Sequence, residues 1–255
     1  MKKQIIVVAS ALVLSGCSVS SADNDKHVST ATPVSQKEIQ SKGQVVFKDE
    51  TPLEEIRKDG LTVVSDPHSI TVVVNKERTL PEGYDPTDLV VPDVPFYFDE
   101  FLPKKQMREE AAKALEELFA AAFQAGEDLV AASGYRSYDR QKKIYERNVE
   151  VYGEEETNKF SAKPGTSEHQ TGLAMDVTSA EMSFKLDQSF RETSEGEWLA
   201  NHAHEYGFVI RYPQGKDDIT GYTYEPWHLR YVGQEKSTEI HNQSLTLEEF
   251  FGFTP

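Results

Sequence analysis

Three side chains that suit a metal ion, His169, Asp176 and His228, fall in two short stretches of this 255-residue chain. Two imidazoles and a carboxylate form a donor set that zinc favours, and catalytic zinc keeps three protein ligands and one position for water. His169 lies in a polar, glycine-containing loop, and Asp176 falls on the polar side of the apolar–polar alternation that follows. We therefore expect a loop and two strands to bring three ligands together at one sheet edge.

Glu225 lies three residues before His228, in the sequence Glu-Pro-Trp-His. Zinc lowers the pKa of water to about 7, so a carboxylate this close to a ligand could hold that water and take its proton. Spacing alone is weak evidence for such a site. A hydrogen-bonded core histidine, a helix-capping aspartate and an exposed glutamate remain an alternative explanation of the same residues.

Arg136 lies in a third polar stretch, 133–141, which reads Ser-Gly-Tyr-Arg-Ser-Tyr-Asp-Arg-Gln. The planar guanidinium group of arginine can bind a carboxylate through two parallel hydrogen bonds, and it can stabilise a developing oxyanion. Both tasks occur in peptide hydrolysis. The alternative for Arg136 is an ion pair at the protein surface.

Four stretches together resemble the LAS metallopeptidases, a group that includes the VanY-type D-alanyl-D-alanine carboxypeptidases and their L,D-carboxypeptidase relatives. They are Ser-x-His-x-x-Gly-x-Ala-x-Asp at 167–176, Glu-Pro-Trp-His at 225–228, Ser-Gly-Tyr-Arg-Ser at 133–137 and Tyr-Gly-Phe-x-x-Arg-Tyr-Pro at 206–213. The resemblance covers about residues 61–233. Any one stretch alone would be unspecific, but all of them occur in the order typical of the group.

The resemblance implies a role for each matching residue. It implies Zn²⁺ as the cofactor and peptidoglycan stem peptides as the substrate. The roles it implies are zinc ligand for His169, Asp176 and His228, catalytic base for Glu225, binding of the scissile carbonyl or the substrate carboxylate for Arg136, and binding of the substrate backbone for Gln141 and Ser167.

Other catalytic arrangements fit the sequence less well. His202 and His204 are two residues apart on a predicted helix and so face different directions, which prevents them from chelating one metal together. The sequence contains no Ser-x-x-Lys, which the serine enzymes of penicillin-binding type require, and no His-Glu-x-x-His. A metal-dependent reaction is therefore favoured.

The elements expected to position these residues mix helices and strands without a regular βαβ repeat. This indicates an α+β domain with a central antiparallel sheet flanked by helices. Helices are predicted at 107–125, 139–149 and 198–206, the last ended by Gly207, and strands at 61–64, 70–74, 129–132, 172–177 (half-buried), 208–212 and 227–232.

Charge and composition narrow the possible partners. The chain has 27 Lys and Arg against 43 Asp and Glu, a formal net charge of −16, and 38% hydrophobic residues. Such a chain can build a globular core, but nucleic-acid binding is disfavoured because it requires a basic surface.

The N-terminus resembles a bacterial lipoprotein signal. Two lysines precede an apolar run at 5–14, and Leu-Ser-Gly comes directly before Cys17, which is the single cysteine of the chain. Cleavage before Cys17 would leave its thiol carrying diacylglycerol; the alternative is a plain signal peptide with an incidental cysteine. We expect a signal peptide at 1–16, a polar tether at 17–58, a catalytic domain at 59–255, and a lipid-anchored protein on the extracellular face of the cell membrane.

The sequence thus predicts a zinc-dependent D-alanyl-D-alanine carboxypeptidase that removes the terminal D-alanine from stem peptides. An L,D-carboxypeptidase acting on tetrapeptide stems is an alternative that the residues do not separate from it. A non-catalytic peptidoglycan-binding module is an alternative of a different class, and the intact set of base and ligands argues against it.

Overall fold

The computed structural model describes residues 56–58 and 60–253. The predicted signal peptide, the lipidated Cys17 and most of the predicted tether lie outside the described residues and stay predictions. The first described strand, β1 (Ile56–Lys58), pairs antiparallel with β2 (Leu61–Val63), and the domain bounds at 17, 59 and 255 stay predictions. Within the described residues no helix is long and apolar enough to cross a membrane.

Two small sheets precede the central one. β1, β2 and β3 (Arg78–Thr79) form one of them, and β4 (Leu89–Val90) pairs antiparallel with β5 (Met107–Arg108) in the other.

The predicted strand at 70–74 is wrong, although its valines are buried as expected. Residues 70 and 71 lie in a turn that the bond from the Val72 N–H to the Ser69 oxygen closes, and arginine side chains donate to several carbonyl oxygens of the stretch. Arg230 donates to the oxygens of Ile70 and Val72, and Arg78 donates to that of Val73. These bonds occupy acceptors that a neighbouring strand could otherwise use, and among the described residues no strand pairs with the stretch.

A four-stranded antiparallel sheet of order β6–β7–β9–β8 forms the centre of the domain. This confirms the predicted α+β fold with a central antiparallel sheet. The strands are β6 (Leu129–Ser133), β7 (Ala174–Ser179), β8 (Phe208–Tyr212) and β9 (Glu225–Tyr231).

The pairing of β7 with β9 places Asp176 directly opposite His228. All six residues of β7 are buried, so the prediction of a half-buried strand is wrong. Met175 and Val177 belong to the hydrophobic core, and Asp176 on the other face is enclosed by the histidines of the candidate site. His228 lies in the middle of β9, whereas the predicted strand at 227–232 has it near the beginning.

Helix α1 (Glu109–Ala125) packs an apolar face against the core, with Leu115 and Leu118 fully buried. It begins two residues later than predicted because Met107 and Arg108 are used in β5. It ends at Gly126, whose φ of 91° is the left-handed conformation that favours glycine.

The predicted helix at 198–206 is divided into the end of an α-helix and a 3₁₀ turn, and Gly207 ends that turn with a φ of 87°. The described residues form six more helices after α1. They are α2 (Tyr138–Tyr152), α3 (Glu154–Thr157), α4 (Ser194–His202), α5 (Asp217–Thr220), α6 (Gln234–Gln243) and α7 (Leu247–Phe251), with 3₁₀ turns at Pro103–Lys105, Glu168–Thr171, Gln188–Glu192 and Ala203–Tyr206.

Candidate metal centre and active site

His169 is held in one orientation by the loop after β6. Its Nδ1–H donates to the carbonyl oxygen of Gly134 over 2.8 Å, which leaves Nε2 3.3 Å from Oδ2 of Asp176. Gly134 is itself fixed, because its N–H donates to the Lys104 oxygen and the N–H of Tyr135 donates to the Gln106 oxygen, each over 2.6 Å. The loop and the 3₁₀ turn that carries His169 therefore present one ring nitrogen to the site.

His228 is oriented in the same manner from the opposite side. Its Nε2 lies 3.3 Å from Oε2 of Glu168, and its Nδ1 lies 3.1 Å from Oδ1 of Asp176. That Asp176 oxygen is buried and has no partner with hydrogen-bond geometry. Candidate ligand atoms of His169, Asp176 and His228 all lie within 4.8 Å of one another.

This donor set fits zinc. Two neutral imidazole nitrogens and a carboxylate oxygen converge, and each histidine is oriented through its other nitrogen by an oxygen acceptor, as metal-bound histidines usually are. Burial opposes a charged imidazole, but the carboxylates of Asp176 and Glu168 raise the pKa of His228 to about 9. The surroundings of His228 thus favour positive charge, which a divalent cation supplies. The three predicted ligands are brought together.

Glu225 begins β9 beside this cluster, with Oε2 3.8 Å from Nδ1 of His228. Burial raises the pKa of the Glu225 carboxyl to about 7, against the opposing effect of His228. A carboxylate with this pKa can both accept and return a proton near neutral pH. Glu225 therefore lies next to the ligand cluster with a carboxyl group that is chemically able to act as a general base.

A cavity of about 240 Å³ opens onto the ligand cluster. Arg136, Ser167 and Glu225 line it together with the three candidate ligands. The aromatic residues Tyr212, Tyr222 and Trp227 also line the cavity.

Gln141 does not line the cavity but lies behind Arg136. Its Oε1 accepts from a terminal nitrogen of Arg136 over 2.9 Å, and its Nε2 donates to the Ala162 oxygen over 2.6 Å. The Gln141 side chain is buried, so its geometry fits the role of orienting the guanidinium group of Arg136. The resemblance had instead implied that Gln141 contacts the substrate backbone. Ser133 Oγ accepts a second, longer bond from Arg136, over 3.4 Å.

Glu168 is a residue whose importance the sequence analysis missed. Its Oε1 accepts from Arg211 over 2.7 Å and from Arg230 over 2.8 Å, while Oε2 faces His228. Burial favours the protonated acid, but Arg211 and Arg230 keep the pKa of Glu168 well below its usual range. The sequence offered one signal of this importance, namely that Glu168 lies between Ser167 and His169, two candidate functional residues of the same motif.

The pair His202 and His204 does not form a metal site. Nδ1 of His202 lies 3.0 Å from Oε1 of Glu205, and His204 stacks on His241 with ring centroids 3.7 Å apart. The two rings belong to separate contacts, as the sequence predicted.

Comparison with known proteins agrees with this geometry. Residues 104–234 match the family model described as VanY, D-alanyl-D-alanine carboxypeptidase. The chain belongs to the VanY family. It is therefore a carboxypeptidase, which sets aside the alternative of a non-catalytic wall-binding module.

Individual relatives are similar over most of the chain. YodJ of Bacillus subtilis (strain 168) is 46% identical over 250 residues, covering 94% of this chain and 92% of YodJ. The solved structure of the LdcB LD-carboxypeptidase has 48% identity and a TM-score of 0.76, covering 79% of this chain and 94% of its own. A vancomycin-resistance D,D-pentapeptidase VanY, solved in complex with Zn(II), has 33% identity and a TM-score of 0.59. The match covers 71% of this chain and 98% of the VanY chain.

Proposed function

We propose that this chain is a zinc carboxypeptidase that releases the C-terminal D-alanine of peptidoglycan tetrapeptide stems, in which the D-alanine follows an L-configured residue. The observation that carries the zinc mechanism is the convergence of His169, Asp176 and His228 beside Glu225 at the end of one cavity. Family membership supports peptidoglycan peptides as the substrate.

The residues of the cavity divide the reaction between them. His169, Asp176 and His228 would hold zinc, which when bound polarises the scissile carbonyl and acidifies water. Glu225 removes a proton from the attacking water and delivers it to the amide nitrogen as the C–N bond breaks. Oxygen from water ends on the new stem carboxylate, and D-alanine leaves as the free amine.

Arg136 supplies positive charge inside the cavity of an acidic protein. Its guanidinium group, oriented by Gln141, can bind the terminal carboxylate of the substrate or the oxyanion that develops on the scissile carbonyl. Ser167 lines the same cavity and offers a hydroxyl group to the peptide backbone.

The choice of an L,D-specificity rests on the higher similarity to LdcB than to the VanY D,D-pentapeptidase, in both sequence and fold. D,D-specificity, which the sequence favoured, is the second candidate, and the match to a family described as D-alanyl-D-alanine carboxypeptidase supports it. A D,D-enzyme would cut between two D-alanines of a pentapeptide stem.

Defined stem peptides separate the two candidates. The zinc-loaded protein is incubated with a tetrapeptide and a pentapeptide, and the products are identified by mass spectrometry. We expect D-alanine release from the tetrapeptide to be the faster reaction. Conversion of pentapeptide to a tetrapeptide that persists would instead establish D,D-specificity, and Glu225→Gln provides the inactive control.

We also propose, from the sequence alone, that a diacylglyceryl group on Cys17 anchors the chain to the extracellular face of the membrane after removal of residues 1–16. The test is fractionation of cells that produce the Cys17→Ser variant. Release of the variant into the medium supports the anchor, whereas retention with the membranes refutes it.

A further inference from the structure

An aromatic surface lies beside the catalytic cavity. We define the aromatic platform as Tyr97, Phe98, Lys104 and Phe184. The rings of Tyr97 and Phe184 stack with centroids 6.0 Å apart and planes at 17°, and Phe98 packs edge-on to Tyr97 at 4.9 Å. Tyr97 and Phe184 nevertheless remain 44% and 43% exposed. Large aromatic side chains that contact one another in open solvent are typical of a binding surface.

The aromatic platform is held rigidly. Nζ of Lys104 donates to the Tyr97 hydroxyl over 2.9 Å and lies 3.9 Å from the centre of the Phe98 ring. Phe184 has a φ of 59°, a left-handed conformation that is rare for a bulky residue. Its N–H donates to the Ser179 oxygen over 3.2 Å, which closes the turn. Backbone strain that keeps an aromatic ring in solvent points to a functional surface.

The aromatic platform is connected to the cavity at two places. Leu186 lines the cavity and lies two residues after Phe184, so their Cα atoms are at most about 7 Å apart. On the other side, the Lys104 oxygen accepts from the N–H of Gly134, the residue whose own oxygen orients His169. A substrate that leaves the cavity on the side of Leu186 would come within reach of Phe184.

We propose that the aromatic platform binds amino-sugar rings of the glycan strand to which the stem peptide in the cavity is attached. This proposal rests on the proposed function. Pyranose rings present flat faces of C–H groups that stack on aromatic rings, and their hydroxyl groups can bond to the Tyr97 hydroxyl. Three residues of an extended stem span about 10 Å, comparable to the path from Leu186 across the stacked rings of Phe184 and Tyr97.

A sugar is favoured over an anionic membrane surface. The ammonium group of Lys104 is already engaged by Tyr97 and Phe98, and the chain has a formal charge of −16, which repels anionic lipids. Nζ of Lys105, 5.0 Å from the centre of the Phe98 ring, donates to the Asp99 oxygen. The exposed rings of Tyr97 and Phe184 offer an apolar face with a hydroxyl group at its edge, which matches an uncharged ring better than a phosphate.

The proposal is tested by comparing two substrates, a free tetrapeptide and the same tetrapeptide linked to its disaccharide. The variant Phe184→Asn removes the ring and keeps a residue that tolerates left-handed backbone. We expect it to lower kcat/KM for the linked substrate by about three- to tenfold, the effect of losing one aromatic contact, and to leave kcat/KM for the free peptide unchanged. Phe123→Ala, which removes an aromatic residue that is 73% exposed on α1, is the matched control.

An equal loss on both substrates, or no loss on the linked one, overturns the proposal. Should the wild-type protein hydrolyse neither substrate, the proposed function fails, and binding of peptide-free glycan chains then decides on the aromatic platform alone. Calorimetric binding of these chains that is lost in Phe184→Asn supports the platform, and binding that persists in the variant refutes it.

Discussion

The contact between Glu168 and His228 gives the sharpest prediction on the metal centre. Replacing Glu168 by glutamine removes a fully buried carboxylate that accepts from Arg211 and Arg230 and orients His228. Removing one partner of a buried ion pair costs about 3–5 kcal/mol of folding free energy. Changing a residue that orients a metal ligand weakens metal affinity about 10- to 100-fold. Glu168→Gln should therefore show both losses.

Glu248→Gln provides the matched control. Glu248 is equally buried, and both its oxygens accept from Arg211, over 2.9 and 2.6 Å. Its side chain also accepts from Asn75, and neither Arg211 nor Asn75 is a candidate metal ligand. It should lose a similar amount of stability and keep its zinc affinity. Urea unfolding measures the first quantity, and competition with a chromophoric chelator measures the second. Equal zinc affinities of the two variants would refute the orienting role of Glu168.

Three further predictions follow from the same structure. If Arg136 binds the substrate carboxylate, Arg136→Ala and amidation of the substrate C-terminus should each cost about 2–4 kcal/mol in kcat/KM. A double cycle of the mutation against the amidation should find the two costs non-additive. Full additivity would leave only the oxyanion role for Arg136. A fluorescent penicillin should not label the protein, because no serine has a lysine three residues later, and covalent labelling seen on a gel would contradict a metal mechanism. Burial and the neighbouring His241 lower the pKa of His204, so the folded state resists protonation there and loses stability as pH falls through about 6.5, the usual histidine pKa. The fall in Tm between pH 7.5 and 5.5 should therefore be smaller in His241→Gln than in the wild-type protein, and an equal fall would rule out this coupling.

The sequence predicted the parts of the molecule that depend on local pattern. The apolar spacing of α1 follows from side-chain periodicity, and the three ligand candidates follow from donor chemistry. The strands predicted at 208–212 and 227–232 are observed as β8 and β9 with the same or similar bounds. The wrong strand at 70–74 had the right residue types, but its outcome depended on Arg230, about 160 residues away in the chain. Hydrogen bonds over such separations leave no periodic trace in the sequence.

In the active site, too, the sequence motifs identify residues whose roles only the packing reveals. Arg136 and Gln141 could be selected from their motif, but only the structure shows that one orients the other from outside the cavity. Glu168 was passed over because a charged residue is usually exposed, and its two arginine partners come from different strands. Motifs thus identified which residues matter, and the packing assigned what each of them does.

The central claim is that Glu225 acts as a base next to a zinc ion that His228 helps to hold. Zinc content by elemental analysis and D-alanine release, measured together on the Glu225→Gln and His228→Ala variants, test it most directly. We expect Glu225→Gln to retain about one zinc per chain and to lose turnover, and His228→Ala to lose both. Equal loss of zinc in the two variants, or turnover that survives in Glu225→Gln, would contradict the account.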